Sequence, residues 1–215
     1  MSWDSVPGKN AEGYPDPTAA EAIKRAQRSR RGRQSRIIGD HYENIIDASL
    51  QWYEDKGVAC IEKTPEPMKP LGKPNRKGQF LACYTKAGQP DFKGTLTGGR
   101  SVVFEAKHTD TDRITYDRLT GDQIDDLEMH YKLGAVAFVL VSFGLEGFYR
   151  IPWAVWRDMK AIYGRKYITK QEAERFRVPY VCGVIRMLEY VHKPEERLNW
   201  DTYHPESQKE GGAKQ

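Results

Sequence analysis

The 215-residue sequence predicts an α/β fold in which a mixed central β-sheet is flanked by helices. Three observations predict it. Ala135–Phe143 is a continuous apolar run with the length of a strand buried on both faces. Segments with helical and strand-like patterns alternate around it in the order helix, strand, strand, strand, helix, strand. With 39% hydrophobic and 11% aromatic residues, the chain has enough apolar surface for one well-packed domain even if both ends stay loose.

Residues 1–36 read as a basic flexible arm, rich in Pro and Gly at first. Lys24–Arg36 then carries seven positive charges and no acid, including Arg30, Arg31, Arg33 and Arg36. Such a block repels itself, and each phosphate it neutralises releases counterions, so it reads as a DNA contact; Ala19–Ala26 could form a helix on DNA. The main domain is expected over 37–195. Its first helix spans about Ile38–Lys56, with Tyr42, Ile45, Ile46, Ser49, Leu50 and Tyr53 at helical spacing and Gly57 to end it. Val58–Lys63 is a short strand. Thr64–Gly78 holds four prolines and four basic residues, Lys69, Lys73, Arg76 and Lys77, which argues for an extended basic excursion returning as a strand at Phe80–Thr85. The excursion as a whole covers about 64–87.

Arg100–His108 reads as a core strand. Thr120-Gly121-Asp122-Gln123 has the form of a capping box opening a helix to about Leu133, closed by Gly134. After the apolar strand, Phe148–Ile151 is its expected hairpin partner. Pro152 suits the first turn of a helix holding Trp153, Trp156 and Met159, whose indoles read as core. Thr169–Glu172 opens another short helix, and Tyr180–Val191 is expected as a last strand kinked at Gly183. Residues 196–215 read as a disordered tail.

Composition excludes several classes. Cys60, Cys83 and Cys182 are far apart, with neither disulfide-framework nor zinc-site spacing. No apolar run approaches the roughly 20 residues of a membrane helix, and the N-terminus lacks a signal-peptide pattern. The expectation is a cytoplasmic protein with reduced thiols and no membrane partner. Net charge is only +4, but it is concentrated in the arm and the excursion.

The chemistry-bearing set is Asp91, Glu105 and Lys107. Asp91 follows Pro90 in a polar turn, and Glu105-Ala106-Lys107 stands thirteen intervening residues on, inside a strand. Alternation puts Glu105 and Lys107 on one face, with Val103 before them, and Phe104 and Ala106 on the other. Charges in a central strand are costly without a partner or a metal. Mg²⁺ takes one or two carboxylates, waters and substrate phosphate. Asp91 and Glu105 are the expected ligands, with the Ala106 backbone carbonyl as a third oxygen. Lys107 would orient water or stabilise charge developing on a scissile phosphate. Glu43, within the apolar stripe of the first helix, is either an ordinary solvated glutamate or a further carboxylate at the metal. Gln123 either caps its helix or contacts Lys107, the water or the phosphate. His41, His108 and His130 form no zinc set, and His108 is read as structural or phosphate-binding.

From about Ser35 to Val191 the sequence resembles the RecU family of Holliday junction resolvases, within the restriction-endonuclease-like PD-(D/E)xK nucleases. The likeness is carried by Ser35-Arg36 with Gly39 and Glu43, Lys63-Thr64-Pro65, Asp91-Phe92-Lys93-Gly94, Phe104-Glu105-Ala106-Lys107, Gln123 ahead of Met129, Trp156-Arg157-Asp158 and Gly164-Arg165-Lys166. The resemblance implies homodimers that nick four-way DNA junctions symmetrically with Mg²⁺ or Mn²⁺. It implies that the excursion is a stalk entering the junction centre, where Lys69, Lys73, Arg76 and Lys77 contact DNA. It places metal ligands on Asp91 and Glu105, the catalytic lysine on Lys107, the helix glutamate on Glu43 and the glutamine on Gln123. Gln89-Pro90 before the aspartate and His108 after the lysine depart from the family pattern, as expected of a divergent, phage-encoded or bacterial member. Two other readings stay open: a restriction-like or repair nickase on the same fold, and a non-catalytic binder of branched DNA.

Overall fold

The structure, a computed structural model, describes residues 17–65, 67–84 and 89–189. The chain divides into two compact units, Met1–Glu43 and Asn44–Gln215. Helix α1 runs from Pro17 to Asp55. Residues 17–36, expected as part of a flexible arm, are thus helical. Ala and the unbranched Arg, Lys, Gln and Glu side chains are strong helix formers, and Pro fits the first turn. Their charges reach water around the helix instead of forcing the backbone apart. Residues 1–16 and the expected tail 196–215 lie outside the described residues. Within α1, Tyr42, Ile46, Leu50 and Tyr53 are buried at helical spacing.

Strand β1 is Ala59–Lys63, and β2 (Met68–Pro70) and β3 (Ala82–Tyr84) pair antiparallel as a separate ribbon in the excursion. Strand β4, Phe92–Leu96, follows Asp91 directly. The sequence reading holds no strand there, although Phe92, Gly94 and Leu96 alternate with Lys93 and Thr95. Strand β5 is Ser101–Thr109 and β6 is Arg113–Thr115, followed by a 3₁₀ turn at Tyr116–Arg118. Helix α2 is Gly121–Lys132, β7 Val136–Phe143 and β8 Gly147–Pro152. The single helix expected after Pro152 is two, α3 (Trp153–Arg157) and α4 (Met159–Tyr163). They part at Asp158, whose carboxylate takes both forks of the Arg157 guanidinium at 3.1 and 2.8 Å. Strand β9 is Tyr167–Thr169, α5 Lys170–Ala173 and β10 Arg177–Val178.

The last strand expected at Tyr180–Val191 is instead a small hairpin, β11 (Tyr180–Val181) and β12 (Val184–Ile185). Cys182 and Gly183 both hold positive φ, 51° and 81°, the requirement of a two-residue hairpin turn. The segment after it is anchored on α1. Ser49 Oγ accepts from the Ile185 amide at 2.8 Å and Tyr53 Oη from the Leu188 amide at 2.9 Å. Burial pushes the Tyr53 hydroxyl up to about 12, so it stays protonated.

The main sheet has six strands in the order β1-β4-β5-β7-β8-β10. Only the central pair β5·β7 is parallel; the others are antiparallel. All eight residues of β7 are buried, as an apolar strand covered on both faces requires. On one face Phe92, Phe104 and Phe138 lie in register across three strands. Their rings stack at 4.7 Å, tilted by 10° and 9°, and the Arg150 guanidinium sits 4.9 Å from the last ring. Each such ring pair adds about 0.5–1.5 kcal/mol beyond area burial. On the other face Val103, Val139 and Val141 pack with Leu127 and Tyr131 of α2 and with Trp153 and Trp156 of α3. Gly94 lets β1 approach β4, because a Cβ there would collide with the Cys60 carbonyl and meet the Ile61 Cα at 2.5 Å.

Candidate active site

The site forms where a sheet loses one strand. β4 pairs with β5 only as far as Phe92↔Phe104, while β5 runs on to Thr109 beside β7. The β4 side of Glu105, Ala106 and Lys107 is left without a neighbouring strand, and Asp91, the residue before β4, occupies that opening. The Ala106 amide donates to Asp91 Oδ2 at 3.1 Å, so the aspartate takes the place of a ladder acceptor. A strand residue sends its N–H and C=O to the same side. The Ala106 carbonyl therefore faces the same opening.

Around this point the polar groups are tightly joined. The Asp91 amide donates to Glu105 Oε1 at 3.2 Å. The Lys107 ammonium lies 2.7 Å from Glu105 Oε2 and 3.4 Å from Asp91 Oδ2, bridging the two carboxylates. Exposure is graded across the three side chains: 34% for Asp91, 14% for Lys107 and 0% for Glu105. Burial pushes the Glu105 carboxyl up to about 8; Lys107 opposes the rise and the neighbouring Asp91 adds to it. Two carboxylates held this close repel, and a cation between them is what the arrangement stabilises most.

Gln123 caps its helix, the first of its two alternatives, and its side chain also reaches a site residue that the second did not name. Its amide and side-chain oxygen close the capping box with Thr120 at 3.3 and 3.1 Å. Its Nε2 also donates to Glu105 Oε2 at 2.6 Å. Its direct partner in the site is thus Glu105 rather than Lys107. Helix α2 is itself fixed by Glu128, which accepts from Trp153 Nε1 at 2.6 Å. One further interaction is not legible in the sequence: the Thr64 amide donates to the Asp91 carbonyl at 2.8 Å, clamping the residue where the excursion departs. Only the pairing of β1 with β4 brings residues 64 and 91 together, and β4 itself leaves a weak local signal.

The remaining predicted residues lie elsewhere. Glu43 is half-buried on α1 as the last residue of the first unit, on a different element from the acid pair. Arg30, Arg33 and Arg36 are exposed on α1; the side chain of Arg31 lies outside the described residues. Lys69, Lys73, Arg76 and Lys77 are all exposed along the excursion. His108 is turned away from Lys107, with Nε2 2.9 Å from Asp110 Oδ1.

Among the described residues no group of three or more His, Cys, Asp or Glu side chains forms a metal cage. The donor set is two carboxylates and a backbone carbonyl. That fits Mg²⁺, which keeps several waters and takes the rest of its shell from phosphate, and it does not fit zinc, which prefers nitrogen and sulfur ligands. No helix among the described residues is long and apolar enough to cross a membrane.

Comparison with known proteins adds an independent line. The family model of RecU, recombination protein U, matches residues 38–193. The Holliday junction resolvase RecU of Geobacillus kaustophilus is 27% identical over 161 residues, covering 69% of this chain and 78% of that protein. The Holliday junction resolvase RecU of Bacillus mycoides is 26% identical over 163 residues, covering 71% and 80%. Among solved structures, Hjc of Archaeoglobus fulgidus, a Holliday junction resolvase, aligns with a TM-score of 0.37 at 13% identity over 60% of this chain and 88% of that one. The family match spans the strand that carries Glu105 and Lys107, the turn that carries Asp91 and the helix cap that carries Gln123, and the chain belongs to the RecU family.

Proposed function

We propose that this chain is a metal-dependent endodeoxyribonuclease that resolves four-way DNA junctions by paired symmetric nicks, using Mg²⁺, with Mn²⁺ as a substitute. The observation that carries the reading is the convergence of Asp91, Glu105 and Lys107 at the open side of β5, in a chain of the RecU family. Asp91 and Glu105, with the Ala106 carbonyl, would hold the ion. A bound divalent ion polarises the phosphate and makes its coordinated water more acidic. Lys107 then orients the attacking water or balances charge on the phosphate, as the nearest ammonium to both carboxylates. Gln123 holds the Glu105 oxygen in place from the helix cap, and the buried Glu105 excludes bulk water from that side of the site.

Symmetric nicking needs two centres, so the working form is a homodimer whose two-fold axis matches that of the junction. Lys69, Lys73, Arg76 and Lys77 of the stalk and Arg30, Arg31, Arg33 and Arg36 of α1 supply phosphate contacts. The test is to incubate the full chain with labelled mobile junction, fork and linear duplex, with and without Mg²⁺, and to map the nicks. Paired nicks across a junction, abolished by EDTA and by Asp91→Asn, are expected. Cutting of linear duplex at a fixed sequence with junctions ignored would select a restriction-like nickase instead. No cutting of any DNA in Mg²⁺ or Mn²⁺ would leave a binding protein.

A further inference from the structure

Outside the stalk and α1, three cations without a role flank the 3₁₀ turn Tyr116–Arg118, which also carries the exposed Asp117, between the end of the catalytic strand and the helix that bears Gln123. Several cations of the second unit are engaged by acids: Arg165 by Glu172 at 2.6 Å, Arg157 by Asp158 at 2.8 Å, Lys170 by Glu146 at 3.2 Å and Arg177 by Glu174 at 2.9 Å. Arg113, Arg118 and Lys166 are exposed and make no such pair among the described residues. They are nevertheless held in place. Arg118 Nη2 donates to the His108 carbonyl at 3.1 Å, one residue beyond Lys107. Lys166 Nζ lies 5.6 Å from the centre of the Tyr116 ring, and the Lys166 carbonyl accepts from the Tyr116 amide at 2.9 Å.

Arg113 is ordered in the same way. β6 and β9 form a ribbon that buries Ile114 and Ile168 and turns Arg113 and Tyr167 outward. The Arg113 guanidinium sits 5.2 Å from the Tyr167 ring. Aromatic rings that stack on cations restrict their motion without neutralising them. An exposed cation held beside an aromatic face, with no carboxylate, is suited to a phosphate.

We infer that Arg113, Arg118 and Lys166 form a phosphate-binding ledge for the DNA strand as it leaves the catalytic centre. The inference rests on the nuclease reading for the identity of the partner, though not for the presence of the site. Arg118, tied next to Lys107, takes the phosphate nearest the scissile bond, and Lys166 and Arg113 take those further along. Such interactions fix register and carry no sequence information. The ledge thus differs from the stalk in binding linear and branched DNA alike.

The experiment measures binding of the full chain in EDTA, by fluorescence anisotropy across a salt series, with four-way junction and linear duplex. Because no cutting is needed, failure of the ledge and failure of the nuclease reading are separate results. Each cation removed from a phosphate should lower the slope of log K against log salt by about 0.9. Arg113→Gln with Lys166→Gln should therefore lower it by about 2, and adding Arg118→Gln by about 3, equally on both DNAs. Arg118→Lys, which keeps the charge, should retain the slope. If Arg118→Gln does not fold, the double variant decides, since among the described residues neither the Arg113 nor the Lys166 side chain donates a hydrogen bond. An unchanged slope in the folded double variant would overturn the ledge, and so would a weakening confined to the junction.

Discussion

The two faces of β5 are built from adjacent residues and do opposite work. On one, Phe104 stacks between Phe92 and Phe138 in a dry, in-register ladder. On the other, Val103 is packed under the helices while Glu105 and Lys107 gather Asp91 and Gln123. The first face stabilises the sheet by burying three stacked rings. The second buries a carboxyl whose pKa burial pushes up to about 8, a cost that the Lys107 ammonium only partly offsets. The site is therefore held open by its neighbour: the phenylalanine ladder fixes β5, so the charged face need not stabilise itself.

Several substitutions would test that division of labour. The largest effect is expected from Asp91→Asn. Removing a group that merely orients a metal ligand typically costs about 10–100-fold, so removing this proposed ligand should lower junction cleavage by more than about 100-fold. Junction affinity in EDTA should stay within a few-fold, and strong cleavage by the variant would remove Asp91 from the chemistry. On the ladder face, Phe104→Ala should cost about 3–5 kcal/mol in chemical denaturation, the range for a buried aromatic. Gly94→Ala should cost at least about 1–3 kcal/mol by forcing β1 from β4, and it would test whether the Thr64 clamp on Asp91 depends on that approach.

Glu105→Gln should separate the two kinds of work in one molecule, with cleavage abolished and metal-free stability gained. The sign follows from the raised carboxyl. The folded protein holds the Glu105 proton until about pH 8, whereas the unfolded chain releases it near 4.5. This group's stabilising share is therefore present below about pH 4.5 and is lost as pH rises through about 8. The melting temperature of Glu105→Gln should exceed that of the parent more at about pH 9 than at about pH 5. An equal difference at both would show that burial does not govern this carboxyl. The smallest change is Gln123→Glu, which keeps an N3 acceptor for the cap but sets a carboxylate against Glu105. Helix α2 should stay folded by circular dichroism while cleavage falls, and full cleavage would reduce Gln123 to a cap.

Much of the fold is legible in the sequence because its signals are local. The apolar run of β7, the Thr120–Gln123 capping box and the alternation of Glu105 with Phe104 each follow from neighbours a few residues apart. The departures fall where a local signal is weak or balanced. The basic stretch before residue 37 sets helix propensity against charge repulsion, and water around the side chains favours the helix from Pro17. Strand β4 is short, broken by a glycine and charged at Lys93. Tyr180–Val191 resembles one strand because a two-residue turn at Cys182-Gly183 leaves little mark between apolar residues.

Covalent order was enough to set the residue types of the site, their faces on β5 and the helix that carries Gln123, since side-chain alternation and capping are properties of neighbours along the chain. Folding in three dimensions was needed for Asp91 to fill the gap where β4 leaves β5, for Gln123 to reach Glu105, and for Arg118 to be tethered one residue past Lys107. These interactions run across the sheet and between separate elements. Their distances depend on strand register and helix placement, which packing of the whole core fixes and no short stretch of residues contains.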